Sequence, residues 1–185
     1  IKKLSSSQIP VVAVLGHPIH HSKSPRLHNF WLSKFDVNGF YIPLDIDPKN
    51  FERHIRSLPF LGFVGANVTI PYKEKILKVA DKISDRAAII GAANTLTFLP
   101  GGKIYADNTD GYGFIQNIKS KYKNWTAKDG MSVVFGAGGA SRAILGALIE
   151  DGASEIVLAN RTRSRADQLR SEFGAKIKVV DWMKV

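Results

Sequence analysis

The sequence predicts an α/β protein of two domains, the second cut short at residue 185, and three observations carry that reading. A β-branched run, Val11 to Leu15, ends at Gly16 and precedes a helix-forming segment. Strand-like and helix-like stretches then alternate up to a hairpin around Pro100-Gly101-Gly102. From Val133 onward the order is strand, helix, strand, helix, strand, the first half of a doubly wound nucleotide-binding domain.

The first domain is expected to span residues 1–118 and to be a mainly parallel α/β layer. Ser24 is placed to cap a helix with Pro25 in its first turn, where the missing proline N–H costs nothing. Phe40 to Leu44 reads as strand, Phe51 to Leu58 as helix and Gly62 to Val68 as extended chain. Helical spacing follows near Lys73 to Ala80 and Ser84 to Ile89, and Asn94 to Leu99 with Lys103 to Asp107 form the hairpin arms. Thr109 to Tyr122 reads as a connecting helix.

The second domain, residues 119–185, holds strands at Val133 to Phe135, Glu155 to Ala159 and Ile177 to Val180. Helices at Ala140 to Glu150 and Ser164 to Phe173 lie between them. Three parallel strands are half of such a sheet, and the last is too apolar for a finished edge, so a Rossmann-like domain truncated at residue 185 is expected.

Composition narrows the function. With 185 residues, 44% hydrophobic and 23% charged, the chain is of globular type. It has no cysteine, which excludes disulfides, thiolate catalysis and cysteine metal sites. No apolar run reaches the roughly 18–20 residues that span a bilayer, and Ile1 to Pro10 lacks a signal-like apolar core. A cytoplasmic protein without a membrane partner is expected. The formal charge is +10, yet Lys73, Lys75, Lys78 and Lys82 alternate with acids and apolar residues, and no aromatic-basic interleaving occurs. The expected partner is therefore an anionic small molecule, not a nucleic acid.

The strongest motif is VVFGAGGASRAI. Gly136 permits a tight turn after the strand, Gly138 keeps side-chain atoms off a pyrophosphate, and a helix from about Gly139 aims free N–H groups at it. Ser141 replaces the usual third glycine but is small enough for close packing. The second strand ends in ANRTRSRA. No acid near Asn160 can hold a ribose hydroxyl, whereas Arg161, Arg163 and Arg165 with Thr162 suit a phosphate on the 2′-oxygen. The charge pattern favours NADP over NAD.

In the first domain, Asn67 and Thr69 offer neutral hydrogen bonds suited to a polyol, and Lys73 stands near an expected helix start. Asp110 is a candidate partner for Lys73, since such a pair can give a proton to a developing alkoxide and recover it in reverse. Ser22 and Ser24 form a candidate carboxylate site, and Asn94 with Thr95 a further polar pair. His17, His20, His21 and His28 invite a metal reading, but no acid stands among them and no HExxH occurs, so no metal is expected. No GxSxG elbow is present.

Together, HSKSP at His21–Pro25, GANVTIPYK at Gly65–Lys73, GAANT at Gly91–Thr95, DNTDG at Asp107–Gly111, FGAGGASRA at Phe135–Ala143 and NRTRSRA at Asn160–Ala166 closely resemble the shikimate dehydrogenase family. The resemblance covers residues 11–182, with the motifs in order and at the right spacing. It implies reversible NADPH-dependent reduction of 3-dehydroshikimate to shikimate, on the route to chorismate and the aromatic amino acids, by a monomer or homodimer. Ser22 and Ser24 would bind the substrate carboxylate, and Asn67, Thr69, Asn94 and Asp110 its hydroxyls. Lys73 and Asp110 would form the catalytic pair, Lys73 also touching substrate. Gly136, Ala137, Gly138, Gly139 and Ala140 would form the pyrophosphate loop, and Asn160, Arg161, Thr162 and Arg165 the adenosine-phosphate clamp. The sequence departs from the family at His17, where asparagine is commonest. A quinate/shikimate dehydrogenase with broader substrate or NAD use, or a non-catalytic NADP- or shikimate-binding regulator, are the alternatives.

Overall fold

The computed structural model describes residues 9–182, so most of the lysine- and serine-containing start lies outside the described residues. These divide into two compact units, 9–84 with 93–107, and 85–92 with 108–182.

In the first unit a six-stranded sheet has the order β2-β1-β3-β5-β6-β4, formed by β1 Val11–Gly16, β2 Phe40–Asp45, β3 Phe63–Val68, β4 Lys82–Ile83, β5 Thr95–Phe98 and β6 Ile104–Asp107. Strand β1 runs parallel to β2 and β3, and β6 parallel to β4, whereas β5 runs antiparallel to both β3 and β6. The expected hairpin is therefore built into the sheet itself, making it mixed. Strand β1 lies between two partners, and Ala13, Val14 and Leu15 are buried, as its β-branched, uninterrupted apolar run requires. Helices α1 Ser24–Lys34 and α2 Phe51–Ser57 complete this unit, and α1 packs on β2.

Two local expectations change. The segment from Lys73 to Ala80 forms only a 3-10 turn at Lys75–Lys78, so Lys73 does not open an α-helix and no helix dipole acts on it. Ser24 is the first residue of α1 and not its cap. The N-cap is Lys23, whose side chain makes no capping bond, and Ser24 N–H donates to Ser22 Oγ at 3.3 Å from the residue before the cap.

In the second unit β7 Ser132–Phe135, β8 Ile156–Ala159 and β9 Ile177–Val180 form a parallel sheet in that order. Helices α5 Gly139–Glu150 and α6 Arg163–Phe173 connect the strands in the predicted β-α-β-α-β sequence. Leu145, Leu148, Ile156, Leu158, Leu169 and Ile177 are buried in one core, each contributing about 1.5–3 kcal/mol of apolar burial. Of the outer strands it is β7, more than β9, that exposes large apolar side chains, Val133 and Phe135.

Helices α3 Asp85–Ile90 and α4 Asp110–Lys121 also belong to this unit, whereas a boundary after residue 118 assigns them to the first. Both pack on α5. At Gly111 a Cβ would stand 2.7 Å from the Ala143 carbonyl oxygen and 3.0 Å from Ala147 Cβ, so only glycine allows α4 this close. The ammonium of Lys119 and the carboxylate of Asp151 then tie α4 to the end of α5, and Asp151 also accepts from Ala127 N–H at 2.8 Å. No helix among the described residues is long and apolar enough to cross a membrane.

Candidate active site

Parallel strands bring their C-terminal ends to one edge of a sheet, and in the first unit that edge carries most of the candidate side chains. Strands β1, β2 and β3 end there at Gly16, Asp45 and Val68. The loops beyond them are cross-tied. Thr69 N–H donates to Leu15 O at 2.9 Å, His17 N–H to Ile70 O at 3.2 Å and Ile46 N–H to Gly16 O at 3.1 Å. These bonds bring the loop of Ser22 and Ser24 to that of Asn67, Thr69 and Lys73.

Asn67 is fixed on both sides. Its Oδ1 accepts from the Tyr41 hydroxyl at 2.7 Å, and its Nδ2 donates to Asn94 O at 3.2 Å. Register sets Asn67 opposite Thr95, and Thr95 opposite Asp107. The Thr95 hydroxyl donates to Asn94 Oδ1 at 2.8 Å, and Asn94 N–H donates to Asp107 O at 3.0 Å. Lys73 is half-buried, and its carbonyl accepts from Ala93 N–H at 2.7 Å, which joins its segment to the turn before β5.

Sequence reasoning passed over three residues that order this edge. Tyr41 is buried, stacks on His28 at 4.1 Å with an interplanar angle of 9°, and has its backbone clasped by the Asn29 amide. Burial pushes its hydroxyl pKa up to about 12, against the opposing effect of a hydrogen bond from Ser24, so it stays a neutral donor toward Asn67. Tyr72 is buried against Phe51 and donates to Ile46 O, which anchors the turn before Lys73 to the chain after β2. Burial, then the nearby Asp45 and Asp47 charges, raise its pKa. Asp45 holds the loop after β1 through His17 and Ile19. An apolar strand pattern marks Tyr41 only as core, and the hydroxyl role of Tyr72 leaves no sequence signal.

Asp110 stands at the start of α4, in the second unit. Its N–H donates to Asn108 Oδ1 at 3.0 Å, and the buried Asn108 donates to Ala92 O at 2.8 Å. Asn108 thus shapes the turn that presents Asp110, a function visible in the sequence only as the second letter of DNTDG.

The glycine loop has the geometry its composition predicts. Gly136 follows β7 with φ of 104°, a conformation that side chains resist, and Gly138 is extended ahead of α5. The first helical bond runs from Arg142 N–H to Gly138 O, which leaves the amides of Gly139, Ala140 and Ser141 outside the helical ladder. Asn160 behaves differently from a simple ligand residue. Its Oδ1 accepts from Ala137 N–H at 3.2 Å and its Nδ2 donates to Thr162 O at 2.7 Å, so the amide binds the glycine loop to the turn after β8. Arg163 is paired with Asp181 and Asp167, while Arg161 and Arg165 are exposed and no carboxylate among the described residues pairs with either. The open amides at the start of α5 and the guanidiniums of Arg161 and Arg165, with no acid at the end of β8, fit an anionic dinucleotide bearing a further phosphate.

The four histidines do not converge on a metal. His17 bonds Asp45 and His28 lies on Tyr41, and among the described residues no group of three or more potential ligands could hold an ion.

Comparison with known proteins gives a consistent answer. The profile of the shikimate dehydrogenase substrate binding domain matches residues 14–96, and that of shikimate/quinate 5-dehydrogenase matches residues 117–185. A shikimate dehydrogenase (NADP(+)) of Roseobacter denitrificans is 53% identical over 98% of this chain and 66% of its own length. The chain thus spans slightly under two thirds of that relative. The crystal structure of shikimate dehydrogenase from Aquifex aeolicus superposes with a TM-score of 0.86 at 36% identity, over 96% of this chain and 64% of that one. A shikimate 5-dehydrogenase of Thermus thermophilus, solved with NADP(H) and shikimate, gives a TM-score of 0.81 at 34% identity, over 94% of this chain and 68% of that one. The chain belongs to the shikimate dehydrogenase family.

Proposed function

We propose that this protein is an NADP-dependent shikimate dehydrogenase of the cytoplasm, reducing 3-dehydroshikimate reversibly to shikimate for aromatic amino acid synthesis. The observation that carries the reading is the cross-tied edge that gathers Ser22, Ser24, Asn67, Thr69, Asn94 and Lys73 in one unit of a chain that also has the glycine loop. The ligands of the Thermus thermophilus relative support it.

In this reading Ser22 and Ser24 take the substrate carboxylate, and Asn67, Thr69, Asn94 and Asp110 select its hydroxyls. Gly136, Ala137, Gly138, Gly139 and Ala140 accommodate the pyrophosphate, with backbone amides as donors. Arg161, Arg165 and Thr162 take the 2′-phosphate, and Asn160 holds the glycine loop beside them. Bound NADPH supplies the hydride that adds to the ketone carbon. Lys73 gives a proton from its ammonium to the ketone oxygen as the carbonyl bond opens, becomes neutral, and is reprotonated from water. Asp110 is the proposed catalytic partner of that ammonium. In the oxidative direction neutral Lys73 takes the hydroxyl proton.

Steady-state oxidation of shikimate and quinate by the full-length protein, with NADP+ and with NAD+, tests the reading. Strong preference for shikimate with NADP+ is the expected result. Comparable turnover of quinate or use of NAD+ would replace it with a broader dehydrogenase. Absence of turnover, with NADP+ still bound, would replace it with a non-catalytic binder.

A further inference from the structure

The histidine-rich loop after β1 has a role that the function above leaves open. His17 Nδ1 lies 2.6 Å from Asp45 Oδ1, and Ile19 N–H donates to Asp45 Oδ2 at 3.2 Å. Both carboxylate oxygens at the end of β2 are therefore used on one stretch of the neighbouring loop. From Ile19 the bonding continues: Ser22 N–H donates to Ile19 O at 2.9 Å, and Ser24 N–H to Ser22 Oγ at 3.3 Å. A run of hydrogen bonds thus leads from Asp45 to both candidate carboxylate-binding serines, 23 and 21 residues before it in the sequence.

The pair is about half-exposed, with 47% of each side chain accessible, so its Coulomb attraction is screened. Its contribution is geometric. The imidazole bond holds the Asp45 carboxyl below the usual carboxylate range, with Ile19 N–H and the neighbouring His20 acting in the same direction. Asp45 stays an acceptor for both donors at neutral pH. The loop is held elsewhere by His17 N–H on Ile70 O and by the buried Ile19, while the side chains of His17, Pro18, His20 and His21 are exposed.

We propose that Asp45 and His17 are a positioning pair for the carboxylate end of the substrate site. They act through the loop from Gly16 to Ser24, holding it where the Ser22 and Ser24 hydroxyls converge on one carboxylate. The inference rests on the assignment of those serines to the shikimate carboxylate. The bond requires a donor one atom beyond Cγ at position 17, and asparagine offers its Nδ2 at the same number of bonds from Cβ as histidine Nδ1.

Kinetics of the full-length protein with shikimate and NADP+, together with amide exchange, test the pair. Asp45→Ala should raise KM for shikimate about 3- to 10-fold while kcat and KM for NADP+ stay within about twofold. His17→Ala should act in the same direction, and His17→Asn should restore nearly the original KM. Amide exchange at Ile19 and Ser22 should quicken in Asp45→Ala. An unchanged shikimate KM, an equal rise in both KM values, or His17→Asn as impaired as His17→Ala would each overturn the pair. If the unaltered protein neither binds nor oxidises shikimate, the proposed function fails, and exchange still decides the pair: unchanged rates at Ile19 and Ser22 in Asp45→Ala overturn it, and faster rates sustain it.

Discussion

The two units prepare their candidate groups by opposite means. In the first, side chains are oriented by their neighbours: the Tyr41 hydroxyl and the Asn94 carbonyl fix Asn67, and the Asp45 carboxylate holds the serine loop through His17 and Ile19. In the second, the backbone does most of the work, through a glycine turn with φ of 104° and the open amides at the start of α5. On the proposed function, the difference follows from ligand chemistry. A polyol must be distinguished by directional donors and acceptors, whose orientation needs support from neighbours. A pyrophosphate accepts hydrogen bonds from any amide that can come close, so removing side chains is enough.

That contrast can be broken most forcefully at Lys73. Lys73→Ala should lower kcat for shikimate oxidation by about 10²- to 10⁴-fold with little change in NADP+ affinity. Isothermal titration with NADP+ beside steady-state rates measures both, and lost affinity with unchanged turnover would remove Lys73 from catalysis. The second unit offers a smaller effect. Arg161→Ala should weaken NADP+ by about 10- to 100-fold through loss of a charge-assisted bond, and NAD+ much less. Equal losses for the two cofactors would show that Arg161 does not read the phosphate.

The smallest expected effect concerns the tie between α4 and α5. Lys119, then Ala127 N–H, hold the Asp151 carboxyl below the usual carboxylate range. A depressed folded-state pKa stabilises the fold fully above the unfolded value of about 3.9, and the gain disappears as pH falls through the folded value. Asp151→Asn should therefore lower Tm at pH 7 by about 2–4 °C and by progressively less toward pH 2. A constant difference across that range, followed by circular dichroism, would exclude the ion pair as the cause.

What could be read from the sequence was what local chemistry decides. Most of the alternating strands and helices, the turn at Pro100-Gly101-Gly102 and the glycine loop have short-range signals and stand where expected. The 3-10 turn at Lys75–Lys78 differs because helical spacing there coincides with anchoring of Tyr72 on Ile46, a contact between distant segments. Ser24 lies inside α1 and does not cap it, because the helix begins one residue earlier than the proline suggests, with Lys23 as its N-cap. At the candidate site the motifs identified which residues to consider, but not which neighbours hold them. Asp45 is 28 residues from His17, and Tyr41 is 26 from Asn67. Only the pairing of β1 with β2 and β3 makes these residues neighbours.

The position of Asn160 has a consequence for engineering cofactor preference. Replacing the residue at the end of the second strand with an acid is the direct way to favour a cofactor with a free ribose hydroxyl. Here that residue is also a fastener, with its oxygen on Ala137 N–H and its nitrogen on Thr162 O. An acid keeps the first bond but has no proton for the second, and its charge lies beside the loop meant to receive phosphates. Redesign should therefore start one residue later, at Arg161, and leave the fastener in place.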